Sequence, residues 1–237
     1  RAASKPGREW EQIRKTRYAD RGLMNGPMHY PTHSCSGPIC VMGARAVRAT
    51  AYGYVNREGD PFAANGFSNE MALFKMSNGS VVRICEMRET PGQPGMDGET
   101  FRVFGTRGSF SENNWYEIQR PDFARLDLAN LPRPVHRKLQ DAEMFDPLPD
   151  EVQRHFKKAM NRDKSEAELL GLDFKPTGHG GSHPYLVHEF VESVAQNRRP
   201  AIHVWEAVRY MAMGIAAHQS ALKDGETVAV PDWGDPV

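Results

Sequence analysis

Residues 71–87 read MALFKMSNGSVVRICEM, and this stretch decides the fold class. Two β-rich runs, 71–76 and 81–87, flank Asn78 and Gly79. That dipeptide accepts the left-handed backbone a tight hairpin turn requires. Val82 and Ile84 share one face of the second run, whereas the adjacent Leu73 and Phe74 point to opposite faces of the first. Both faces of the expected sheet therefore carry apolar groups. Working outward, residues 46–55 (AVRATAYGYV) alternate as a strand, and residues 101–104 (FRVF), 109–111 and 115–118 (WYEI) follow the Gly105 and Gly108 turns. Sequential strands joined by short turns indicate an antiparallel meander rather than βαβ units.

Helices complete the pattern. Residues 31–42 (PTHSCSGPICVM) are small and apolar enough for a short buried helix despite Gly37 and Pro38. Residues 184–197 place Val187, Phe190, Val191 and Val194 on one face. Residues 204–223 do the same with Val204, Val208, Met211, Ile215 and Leu222, and Gly225 is the stop signal. A last strand is expected at 227–230. Residues 1–25 read as an irregular or helical leading arm. Residues 119–178, rich in proline and charge, read as a long irregular excursion with one amphipathic piece at 150–160 (Val152, Phe156, Met160). The expected fold class is α+β: one domain over residues 1–237, an open, mostly antiparallel β-sheet with helices packed on one face.

Composition narrows the function classes. Thirty basic residues balance thirty acidic ones among 237, so no global field draws the chain to nucleic acid or an anionic membrane. No apolar run reaches the roughly 18 residues of a membrane span. The three cysteines, Cys35, Cys40 and Cys85, form neither a disulfide framework nor a CxxC zinc pair. A cytoplasmic location is the expectation, with export the alternative. The chain opens at Arg1 with no initiator methionine, so the natural beginning is expected to lie elsewhere.

Chemistry concentrates in two loops, GPMHYPTHS (26–34) and GHGGSHPY (178–185), which hold four of the nine histidines. Imidazole is the side chain best suited to moving protons near neutral pH. His29/His33 and His179/His183 have the i, i+4 spacing of a zinc-binding helix face. Pro31 and Gly180–Gly181 interrupt the two pairs, so the metal reading, that of a metal-dependent hydrolase, stands behind proton transfer. The GHGGSH run imitates a dinucleotide loop, yet position 183 is His instead of Gly and no apolar strand precedes it. Proton transfer and hydrogen bonding to a polar organic substrate remain. His33, set before a buried helix, suits a general base or acid. His29, Tyr30 and Thr32 flank it, and His179, His183 and Tyr185 reach the same pocket if the two segments meet. Glu86 and Arg88, at a strand end, are weaker candidates.

In order, GPMHYPTHS before a small-residue helix, VRATAYGYV, NEMALFKMSNGSVVRI, ETFRVFGTRGSF and NRRPAIHVWEAVRYMAMGIAAHQSALKDGETVAVP resemble the C-terminal domain of the Gfo/Idh/MocA oxidoreductases. The likeness runs over residues 26–231 and is weakest between 119 and 177. It implies a glyceraldehyde-3-phosphate-dehydrogenase-like C-terminal domain, with His33 as the catalytic histidine and Tyr30, Thr32 and His179 lining a sugar pocket. YPTHS with GHGG is similar to the subgroup that includes NAD-dependent glycosidases, which act by transient oxidation and elimination. Two departures stand out: His29 replaces the usual acid four residues before the catalytic histidine, and His183 occupies a place often acidic in the subgroup. Family members begin with a Rossmann domain, and no such domain is visible in this chain. The resemblance therefore implies the substrate and oligomerisation domain of an NAD(P)-dependent sugar or polyol oxidoreductase. NAD or NADP would serve the intact enzyme, with none bound to this chain alone. The partners implied are a carbohydrate or polyol and a second copy of the chain against the sheet face. A non-catalytic sugar-binding module is the rival from a different class.

Overall fold

The chain is described by a computed structural model over residues 26–29, 31–55, 67–87, 100–111, 114–117, 135–138, 148–175 and 181–234. The expected leading arm at 1–25 lies outside these residues. Backbone contacts divide the chain into two compact units, Arg1–Arg137 with Val204–Val237, and Lys138–His203.

The first unit opens with a 3-10 turn, Pro27–His29, and helix α1, Thr32–Met42. Strands β1 (Ala46–Val55), β2 (Phe67–Met76) and β3 (Val81–Met87) follow. The turn between β2 and β3 takes its left-handed step at Gly79, φ 86°, and the Asn78 side chain accepts from the Ser80 backbone N–H at 3.0 Å. The expected meander is present but divides into two sheets. One has the order β3-β2-β1-β8, where β8 is Val228–Ala229. The other is built from β4 (Arg102–Phe104), β5 (Gly108–Ser111), β6 (Asn114–Glu117) and β7 (Val135–Lys138), in that order. The second sheet begins after residues 88–101, a connection longer than a tight hairpin turn. β7 lies in the stretch expected to be an irregular excursion.

The first sheet has one covered and one open face. β3 alternates strictly, with Val82, Ile84 and Glu86 buried and Val81, Arg83, Cys85 and Met87 exposed. The registers Ala49↔Phe74, Phe74↔Val82, Ala51↔Ala72 and Ala72↔Ile84 extend the buried face across three strands. On the open face Tyr52, Tyr54, Met71, Leu73 and Val81 are all more than half exposed. Helix α1 and the long helix Val204–Leu222 both contact the sheet.

The long helix corrects one expectation. Its buried residues are Tyr210, Ala212, Met213, Gly214, Ala216, Ala217, His218, Ser220 and Ala221, whereas Val204, Ile215 and Leu222 are exposed. The stripe of large aliphatics is not the packing face. Alanine, glycine and serine let the helix axis approach the strands closely enough for Ser220 Oγ to accept from the Ala51 N–H at 2.9 Å. That bond satisfies a strand donor beyond the short β8 pairing, which reaches only Arg48 and Ala49. Gly214 is the tightest point: a Cβ there would stand 2.1 Å from the Met28 carbonyl oxygen and 2.5 Å from Pro31 Cγ.

The second unit holds α2 (Asp150–Met160), α3 (Glu166–Leu170) and α4 (His183–Ala195), so the long helix above is α5. The excursion is thus partly regular. α3 starts on a capping box, with Ser165 and Glu168 satisfying each other's backbone donors. Within α4, Glu189 accepts from both terminal guanidinium nitrogens of Arg198, at 2.8 and 2.7 Å, and from the Ala201 N–H at 2.7 Å. Those hydrogen bonds, led by Arg198, hold the Glu189 carboxyl at about 2. The α4 residues Val187, Phe190, Val191 and Val194 do share a face, but all four are more than half exposed.

Two measurements check this account. The G214A variant should lose about 1–3 kcal/mol of stability, seen as a lower urea midpoint at unchanged m-value, because overpacking outweighs alanine's helix preference. The Glu189 clamp should contribute fully above the ordinary carboxylate value of 4.5 and be lost as pH falls toward 2. In R198A the Glu189 carboxyl should titrate near its ordinary value in a carbon-13 NMR titration.

Candidate active site

The 3-10 turn and the first turn of α1 carry three of the expected site residues, and the buried face of the first sheet lies against them. His29 is half-buried, Thr32 begins α1, and His33 is exposed one residue further on. Ser34 donates its hydroxyl to Glu86 Oε1 at 2.5 Å. Glu70, on β2, accepts from the Met28 N–H at 2.8 Å through Oε2 and meets His218 Nδ1 at 2.6 Å through Oε1. Glu70 and Glu86 are register partners across β2 and β3, both on the buried face. Two carboxylates placed opposite one another repel, so each needs its own donors. The turn and α5 supply them for Glu70, and α1 supplies one for Glu86.

Two close approaches seat the turn on α5. Beside the Gly214 contact, Gly26 lies so near His218 that a Cβ would fall 2.4 Å from its Cε1 and Nδ1. The His29 and His218 rings stand 4.6 Å apart between centroids, tilted by 56°. The sequence reading had noted Glu86 but missed Glu70 and His218. A lone acid in a strand and a lone histidine in an alanine-rich helix carry no local signal, and only the fold joins them. Cys35, on the inner side of α1, is fully buried. Burial, reinforced by the Glu86 carboxylate, pushes its thiol up to about 12.

The other expected residues are placed differently. His183 opens α4 in the second unit, exposed, and Tyr185 is half-buried two residues later. Tyr30, His179 and Arg88 lie outside the described residues. Among those residues no three His, Cys, Asp or Glu side chains gather in a group able to hold a metal ion. No described helix is long and apolar enough to cross a membrane.

Residues 167–235 match the family model described as Glycosyl hydrolase 109, C-terminal domain. No curated protein matches the chain. Among solved structures it is similar to an NAD binding oxidoreductase from Klebsiella pneumoniae, with TM-score 0.54 and 15% identity over 85% of this chain and 49% of that one. An oxidoreductase domain protein from Kribbella flavida gives TM-score 0.51 and 13% identity over 82% of this chain and 47% of that one. A probable dehydrogenase from Thermotoga maritima gives 0.50 and 15% over 88% and 50%. The chain shares its mixed α/β fold, with antiparallel sheets and helices, with part of each of these oxidoreductase structures. The chain spans about half the length of each of these structures.

The environment of Cys35 gives a direct check. In the native protein at pH 8 a disulfide reagent should modify the exposed Cys40 and leave Cys35 untouched, with Cys35 reacting only after unfolding.

Proposed function

We propose that this chain is the substrate-binding domain, one unit of function over residues 1–237, of an NAD(P)-dependent sugar or polyol oxidoreductase of the Gfo/Idh/MocA family. The observation that carries the proposal is the exposed His33 at the head of α1, on a segment held from below by Glu70 and Glu86. A base must be fixed in place and open to its substrate at once, and this segment meets both demands. The fold shared with oxidoreductase structures and the family model over 167–235 support the same reading.

In this reading His33 accepts the hydroxyl proton of the carbon that loses hydride. His29, Tyr30 and Thr32, in the same segment, hold neighbouring hydroxyls. The described residues include no strand, glycine loop and helix in the order a dinucleotide needs. The nicotinamide that would take the hydride is assigned to a separate domain, in keeping with a chain that spans about half the length of the NAD binding oxidoreductase it resembles. The second reading, a glycosidase that oxidises its substrate transiently and eliminates the glycosidic substituent, is favoured by the match to a glycosyl hydrolase model. The open sheet face with Tyr52, Tyr54, Met71, Leu73 and Val81 is assigned to a second copy of the chain; a monomeric mass by light scattering at micromolar concentration would count against it.

The deciding experiment replaces His33 by Ala in the natural full-length protein and follows cofactor reduction with a panel of sugars and polyols. Loss of general-base assistance should lower kcat by about 10²–10⁴-fold. Unchanged turnover would remove His33 from this role. Cofactor-dependent cleavage of aryl glycosides, without net cofactor reduction, would select the second reading.

A further inference from the structure

His218 is 1% exposed and Glu70 0%. Both ionisable groups sit in a core built of alanine, methionine, phenylalanine, isoleucine, valine, tyrosine and cysteine side chains. Burying such a pair is a poor route to stability, since apolar side chains of similar volume serve as well or better. His218 Nε2 is also buried and has no hydrogen-bond partner among the described residues. A buried polar atom left unpaired in a native core calls for a reason beyond packing.

The surroundings supply one. Glu70 uses one oxygen for the Met28 N–H, inside the 3-10 turn, and the other for His218 Nδ1. With the carboxylate ionised, Nδ1 carries the proton and Nε2 keeps its lone pair, because a carboxylate can only accept. The imidazole thus has a fixed tautomer and a fixed plane, and the His29 ring lies 4.6 Å from it. Phe67 closes another side, edge-on at 5.8 Å. Among the described residues, Glu70 from β2 and His218 from α5 meet the turn directly, Glu86 from β3 lies opposite Glu70, and His33 follows on α1.

We propose that Glu70 and His218 are positioning residues of the active site: a buried carboxylate–imidazole pair that clamps the Pro27–His29 turn and sets the charge felt by His29, and through that segment by His33. The proposal deepens the oxidoreductase reading and rests on it only for the catalytic readout. The pair touches no substrate; it acts through the turn. Removing the carboxylate charge should disfavour protonation of the adjacent His29 ring.

The test uses the natural full-length protein and its E70Q variant, in which shape is kept and the charge removed. In the wild type, nitrogen-15 imidazole spectra should show His218 protonated at Nδ1 and bare at Nε2 above neutral pH. In E70Q the glutamine amide can donate to Nδ1, so the proton should move to Nε2. The His29 titration midpoint, followed by NMR, should fall in E70Q by about half a unit or more. The acid limb of kcat/KM should move the same way, with kcat reduced about tenfold and KM held within about threefold. An Nε2-protonated His218 in the wild type overturns the proposal. So does an E70Q variant whose His29 midpoint and pH profile match the wild type. If E70Q does not fold, H218Q, which keeps the carboxylate and its charge on the Met28 N–H, should leave the His29 midpoint close to the wild-type value, and a fall of about half a unit or more overturns the proposal. If the wild type turns over no sugar, the oxidoreductase reading fails while the His218 and His29 spectra still decide the positioning pair.

Discussion

The carboxylate of Glu70 ties together three parts of the chain that sequence keeps far apart. Met28 lies 42 positions before it and His218 148 positions after it, yet both bond to its two oxygens. Everything else in the first unit has to be compatible with that junction. α5 must come close to the sheet, so its inward side is mostly alanine, glycine and serine. The turn must come close to α5, so Gly26 and Gly214 stand where a Cβ would collide. A hydrogen-bonded charge in a low-dielectric interior is strong when its partners are in place and costly when they are not. The junction is therefore specific: few alternative packings offer Glu70 two donors.

The same constraint connects stability to chemistry. Glu70 and Glu86 face each other in register, and the repulsion between them is offset by donors from the turn, α5 and α1. Those donors belong to the segment that carries His29 and His33. The carboxylates that the sheet must satisfy are thus the ones that fix the candidate base. His33 stays exposed because the side of α1 carrying Cys35 and Ile39 is the one turned to the core.

Much of the fold was legible because its signals are local. Period-two alternation located β1 and β3 to the residue, and helix stop signals located both closing helices to within two residues. α3 had a readable start in Ser165 and Glu168, but its charged surroundings read as excursion. β7, four residues long, carries too short a pattern to stand out from its flanks. The misreading of α5 is the most instructive. Its large aliphatics form a clear stripe, yet close approach to a sheet selects for small side chains, and period alone does not distinguish a stripe that packs from one that does not.

The sequence by itself determined the α+β class, the antiparallel pairing and the histidine-rich loops, since backbone preference, side-chain alternation and turn chemistry act over a few neighbouring residues. Only the tertiary structure decided which face of α5 is buried, that the strands part into two sheets, and that Glu70 and His218 meet beneath His29. Those outcomes depend on how closely distant elements approach and on which buried charge finds a donor, and neither quantity is written in any local stretch of the chain.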